Sequence, residues 1–230
     1  AYSKQVLENK TMGLVEHHTK SSPILVDIDI KYELERGYTR CYTKNDIKTI
    51  VKLYNEQIEK YFKVDKIDAY VLEKPKPSKQ MGNIKDGIHI IYPYIVSECN
   101  IQYQIRENVL QLLKTNDLFK HWNAKNSYSD IFDKAVIKSN GLVMYGSSKI
   151  GEKPYELSYI INKKLNEDYI LPPREERAKI FSIRHKRFSE LSDEGKKIKS
   201  YEKPKVDDYT FNPRTYCSDD DIELAKQLVK

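Results

Sequence analysis

The chain has 230 residues, 39% of them hydrophobic and 32% charged, with a formal net charge of +6; that is enough for one sizeable core or a domain with an appendage, and the charge is compatible with a polyanionic partner. No apolar run approaches the roughly 20 residues that span a bilayer, and the first residues lack a charged stretch followed by an apolar one, so neither a membrane segment nor a secretory signal is expected. Cys41, Cys99 and Cys217 are odd in number and far apart, with no CxxC pair, which argues against a structural zinc site and fits a reducing compartment.

The first strong element is "SPILVDIDIKYE", residues 22–33. In an extended chain Val26, Ile28 and Ile30 point one way and Asp27 and Asp29 the other, because side chains alternate with a period of two. Two like charges on one face raise the energy of the folded state. Either that face is open to water or something positive sits on it; magnesium and manganese, which take oxygen ligands, are the second possibility.

"TKNDIKTIVKLYNEQIEKYF" places Ile47, Ile50, Val51, Tyr54, Ile58, Tyr61 and Phe62 at helical spacing, with Thr43 or Asn45 as the N-cap. A strand, "KIDAYVLE", then leads into "KPKPSKQMGNIKDG", which its prolines, glycines and lysines mark as a long basic loop. "IHIIYPYI" is a short β run carrying His89, and "NIQYQIRENVLQLLK" is a helix. His89 is either a core histidine bonded to a neighbour or a donor to a phosphate oxygen, with Lys85 able to add a second positive charge to the same anion.

"AVIKSNGLVMYGSSK" has the pattern of a hairpin turning near Ser139, Asn140 and Gly141, and "PYELSYIIN" of a further strand. Asp133 stands at the start of a strand and is either a turn aspartate or a third carboxylate for a metal. "YGSSK" gathers a glycine, two hydroxyls and a lysine in a chemistry suited to a triphosphate, without the spacing of a P-loop. Strands and helices mix without a regular βαβ repeat, which predicts an α+β domain ending near residue 165. Beyond it, residues 166–230 are expected to form a linker with helices: a basic one in "PREERAKIFSIRHKR" and a capped terminal one in "SDDDIELAKQLVK".

Taken in order, "VDID" at residues 26–29, "GIH" at 87–89 and "FD" at 132–133, followed by "LVMYGSSKIGEKPYEL", resemble the archaeo-eukaryotic primase superfamily in the form carried by primase-helicases of large nucleocytoplasmic DNA viruses, such as poxviruses, asfarviruses and mimivirus-like viruses. The resemblance covers residues 20–162. One departure is Gly87, which stands where the family pattern has a small polar residue, so that no hydroxyl is available from that position.

The resemblance implies an α+β catalytic core with an RRM-like sheet packed against helices and a helical C-terminal extension. It implies a primase-polymerase in residues 1–165 that initiates viral DNA replication, acting on a single-stranded DNA template with nucleoside triphosphates. Asp27, Asp29 and Asp133 would hold Mg2+ or Mn2+, and His89 and Lys149, with Lys85 and Ser148, would contact the nucleotide. It further implies a helicase fused C-terminally in a longer protein and a place in the cytoplasmic replication factory of an infected cell; separately, the opening at Ala1 without a methionine suggests an excised fragment with its N-terminus elsewhere. Two alternatives stay open. One is a metal-dependent nuclease, for which Glu73 and Lys74 offer an acid-base pair; the other is an inactive, DNA-binding primase-like module of a helicase.

Overall fold

A computed structural model of the chain describes residues 2–8, 12–17, 21–183 and 188–198. The elements in chain order are α1 (Tyr2–Leu7), β1 (Val15–Glu16), β2 (Ser21–Tyr32), α2 (Lys44–Tyr61), β3 (Asp68–Glu73), β4 (Ser78–Gln80), β5 (Asn83–Glu98), α3 (Cys99–Asn116), α4 (Tyr128–Ile131), β6 (Phe132–Asp133), β7 (Leu142–Val143), β8 (Glu156–Asn162), β9 (Glu167–Asp168), α5 (Arg174–Phe181) and α6 (Asp193–Lys196). Among the described residues no helix is long and apolar enough to cross a membrane. Cys217 and the expected terminal helix lie outside the described residues.

The expected α+β architecture is present. One antiparallel sheet runs in the order β6-β2-β5-β3-β8-β9, with β4 paired to β5. Four consecutive strands, β6-β2-β5-β3, come from two interleaved units, β2-α2-β3 and β5-α3-β6, a split βαβ arrangement in which each helix returns the chain past an intervening strand. The α2 helix starts where Thr43 and Asp46 form a reciprocal capping box. Its predicted apolar stripe, Ile47, Ile50, Val51, Tyr54, Ile58 and Tyr61, is buried. Together with α3 it covers one sheet face, packing on Val26, Ile28, Ile30, Ile88, Ile90 and Val71.

The opposite face is only half covered. Leu25, Ile91, Tyr70, Leu72 and Ile160 form a second core with Val6 of α1, Leu142, Tyr145 and Phe181 of α5. Asp27 and Asp29 lie farther along β2 on that same face, past the edge of the cover. This resolves the alternation seen in the sequence: β2 is buried on both faces for half its length and on one face for the rest.

Three expectations are corrected. Residues 74–87 are not a loop: β5 already begins at Asn83 and pairs with β4 around a two-residue turn, Met81 and Gly82, both with positive φ. Such a turn matches strand twist, and the alternating burial of Ile84 and Asp86 continues into the central strand. The expected hairpin at 135–149 does not form. Residues Ala135–Ile137 make a 3-10 turn, and β7 pairs with β1 instead. Gly141 permits this, since a Cβ there would run into Val15 and the backbone of Glu16. The basic helix that starts after Pro173 ends at Phe181, and its apolar side closes the second core; residues 184–187 of that stretch lie outside the described residues.

Candidate active site

Strand pairing brings the expected acids together. In the register of the sheet Asp133 stands opposite Asp27, and Asp27 stands opposite His89. Residues directly opposite in an antiparallel pair share a face with Cβ atoms about 4.5–5.5 Å apart. Asp133, Asp27 and His89 therefore form one row across three strands. The next row on this face pairs Asp29 with Gly87, and the one after it pairs Lys31 with Lys85.

Two residues remote in sequence hold this geometry. Arg106 of α3 is buried and donates through Nε to the Phe132 carbonyl at 2.7 Å, and through a terminal nitrogen to the Ser129 carbonyl at 2.8 Å. This fixes the two-residue strand β6, which is too short to be held by its own ladder. Asn126 takes over the edge of β2 where β6 stops: its amide donates to the Asp29 carbonyl at 2.8 Å and its oxygen accepts from Lys31 N–H at 3.0 Å.

Asp27 carries the electrostatic strain. Burial, and then the charges of Asp29 and Asp133, push its carboxyl well above the usual carboxylate range against the opposing pull of Lys85 and Lys149. Its Oδ1 is buried and accepts no hydrogen bond, with His89 Nε2 3.4 Å away. Burial lowers His89 to about 4, so the ring is neutral at physiological pH. Lys85 Nζ donates to Asp29 Oδ2 at 2.8 Å. Burial draws this lysine down, but the Asp29 carboxylate prevails and holds it above its ordinary value. Lys85 thus serves as the counter-charge of the second acid, a more central position than the sequence implied.

The donor set suits a hard divalent cation: three carboxylates on adjacent strands, with an orphaned buried oxygen at their centre and no thiolate. One oxygen of Asp29 is committed to Lys85 and one of Asp133 to the Ala135 amide at 2.8 Å. In this arrangement no three His, Cys, Asp or Glu side chains among the described residues are already closed on a single ion. The acids fit a metal, with side-chain rotation needed to receive it.

The same cleft is lined by Lys74, Lys85, Ser148, Lys149, Lys153 and Tyr155 beside the acids and His89. Lys149 and Ser148 arrive on the loop after β7, which is tied to the N-terminal segment: Ser148 N–H donates to the Met12 carbonyl at 3.0 Å, and Tyr2 Oη lies 3.0 Å from Ser147 Oγ. Ser148 spends its hydroxyl on this loop, with carbonyls of Lys149 and Glu152 as acceptors. Its hydrogen is therefore committed, and it shapes the turn that presents Lys149.

Sequence reasoning missed Tyr155 and Arg106, and placed Lys74 only in the alternative pair with Glu73. Tyr155 stacks on His89 with ring centroids 3.8 Å apart and planes at 10°; burial and then the charges of Asp27 and Asp29 raise its phenol well above the ordinary value. Lys74, almost fully buried, reaches the cleft between Ser78 Oγ at 2.8 Å and Glu152 at 3.5 Å. Arg106 has no local signal beyond being a charged residue beside the apolar stripe of its helix. Glu73, by contrast, turns away from Lys74 to accept from Tyr42 Oη at 2.9 Å and from Arg40 at 3.3 Å, so the two do not form an acid-base pair at the cleft.

Comparison with known proteins agrees with this architecture. Residues 1–161 match the family described as the C962R protein N-terminal AEP domain, a match that takes in the N-terminal segment supporting the Lys149 loop. The chain is 35% identical over 176 residues to a protein of Acanthamoeba polyphaga mimivirus named as a helicase, L207/L206, covering 74% of this chain and 18% of that protein. It is 25% identical over 192 residues to one of Invertebrate iridescent virus 6 also named as a helicase, 184R, covering 72% of this chain and 19% of that one. The chain thus spans less than a fifth of either relative. It belongs to the archaeo-eukaryotic primase domains of the C962R type, found in viral primase-helicases.

Proposed function

We propose that this chain is the catalytic module of a DNA-directed primase-polymerase, which joins nucleotides on a single-stranded DNA template. The observation that carries the reading is the row Asp133, Asp27 and His89, flanked by Asp29 and facing a cleft lined by Lys74, Lys149 and Lys153. Acids for hard cations stand beside ammonium groups for a polyphosphate, which is the division of labour nucleotidyl transfer needs.

Asp27, Asp29 and Asp133 are the residues to hold Mg2+ or Mn2+. When bound, such ions activate the attacking 3'-hydroxyl and neutralise the departing pyrophosphate. The chain's own groups do the rest. His89, its plane fixed by the Tyr155 stack, donates a ring N–H to a phosphate oxygen. Lys149 neutralises the triphosphate from the loop, and Lys74 supports it from the end of β3. No protein nucleophile takes part.

The helicase names of the longer relatives support a helicase fused after this module, with residues 1–165 catalytic and 166–230 connecting. Initiation of viral DNA replication, in a replication factory in the host cytoplasm, is the setting this composition fits. Incubating the protein with a single-stranded template, nucleoside triphosphates and Mn2+ tests the reading: new strands should lengthen. Shortened template would mark a nuclease, a reading the outward turn of Glu73 disfavours. Template binding without incorporation would mark an inactive module.

A further inference from the structure

Gly87 and Tyr155 fit together as a pair. Gly87 lies on β5 opposite Asp29, between the rows that carry His89 and Lys85. A Cβ on residue 87 would overlap the Tyr155 hydroxyl and sit 3.1 Å from its Cζ. The glycine is thus the space into which the phenol fits, since its φ is not in the region that glycine alone favours. The ring itself is held flat against His89.

This places a hydroxyl against Gly87, over the Asp29–Gly87 row. No hydrogen bond joins the hydroxyl to another described residue, and burial and then the charges of Asp27, Asp29, Glu152 and Asp86 raise it. It retains its proton at neutral pH and can donate. His89, Lys85, Lys74 and Lys149 line the same cleft as the acids and are the groups there expected to meet an anion.

We propose that the Tyr155 hydroxyl is a further nucleotide-binding donor, bonded to a non-bridging oxygen of the triphosphate. It supplies, from the segment before β8, the hydroxyl that Gly87 cannot. The inference rests on the nucleotide-site reading above and adds a residue to it. Two consequences follow. Tyr155 and Gly87 must be exchanged together, because any side chain at 87 displaces the phenol. Conversely, a serine at 87 becomes useful only once the Tyr155 hydroxyl is gone.

The test is calorimetric titration of the protein, without DNA, with dATP and separately with inorganic tripolyphosphate, each in Mn2+. Tyr155→Phe keeps the ring, the stack and the fit over Gly87 while removing one oxygen. It should weaken both ligands about tenfold, as loss of a hydrogen bond to a charged group does, with the melting temperature unchanged. Gly87→Ser should weaken binding at least as much in the parent protein, yet recover part of the loss when combined with Tyr155→Phe.

The outcomes separate cleanly. Unchanged binding by Tyr155→Phe, with Lys149→Ala weakened, overturns the role of Tyr155 and leaves the nucleotide site standing. Weakened dATP with unchanged tripolyphosphate overturns the assignment to phosphate, since the contact is then to sugar or base. Normal binding by both Tyr155→Phe and Lys149→Ala, or no dATP binding by the parent protein, removes the nucleotide-site reading and this inference with it.

Discussion

Asp133 stands directly opposite Asp27 on paired antiparallel strands, and its charge adds to burial and to the charge of Asp29 in raising the Asp27 carboxyl. A fold optimised for stability alone would not keep this contact, because it buries a carboxylate oxygen with no donor. Replacing Asp27 and Asp29 together by alanine should therefore abolish nucleotide incorporation while the circular dichroism spectrum is retained. Asp27→Asn alone should leave the melting temperature unchanged or higher. Loss of secondary structure in the double variant would make the pair structural.

Arg106 is predicted to position Asp133 without touching substrate. Arg106→Ala leaves the Phe132 and Ser129 carbonyls without their donor and should cost about 2–4 kcal/mol of stability, read as a lowered denaturant midpoint. Arg106→Lys keeps the charge but not the forked geometry. It should raise the Mn2+ concentration needed for half-maximal incorporation while leaving template affinity unchanged, which a purely structural role would not do.

Much of this site could be read in the sequence where the signal is local. The period-two alternation in "VDID" put Asp27 and Asp29 on one face, and the α2 stripe with its Thr43 cap needed only spacing and propensity. What escaped was set by distant pairing. A two-residue strand such as β7 has no period, so the apolar run at 142–145 gave the same signal whether it paired with 135–138 or with β1. The fit of Tyr155 over Gly87 joins a loop to a strand, and neither residue announces the other. Likewise the lysines and glycines of 74–87 suggested a loop because turn residues dominate the composition, although β4 and the start of β5 at Asn83 take up more than half of it.

The thiols give a check on the fold independent of function. Burial pushes Cys41 up to about 12 and also raises Cys99. Alkylation proceeds through the thiolate, and a raised pKa keeps both thiols protonated at every pH below it, so reactivity is withheld across the neutral range. In a Cys217→Ser variant at pH 7.5, iodoacetamide should label neither until denaturant unfolds the domain. Rapid labelling of native protein would place Cys41 at the surface.

Lys76 and Lys79 are exposed on the approach to the tip at Met81, which is 94% accessible, and no acid lies between Lys74 and Lys85. If this hairpin tracks the template backbone, single-stranded DNA affinity should fall steeply with salt. The double change Lys76→Ala with Lys79→Ala should reduce the slope of log affinity against log salt by about 1.4, at roughly 0.7 per phosphate contact. An unchanged slope would make the hairpin a solvated surface.

The central claim is that three aspartates from two paired strands, Asp27 and Asp29 of β2 and Asp133 of β6, converge on divalent cations. Electron paramagnetic resonance of Mn2+ titrated into the parent protein and into Asp133→Asn tests it most directly. The account predicts that the parent protein binds Mn2+ and that the variant, still folded by circular dichroism, binds it at least tenfold more weakly. Equal Mn2+ binding by the two proteins would contradict it.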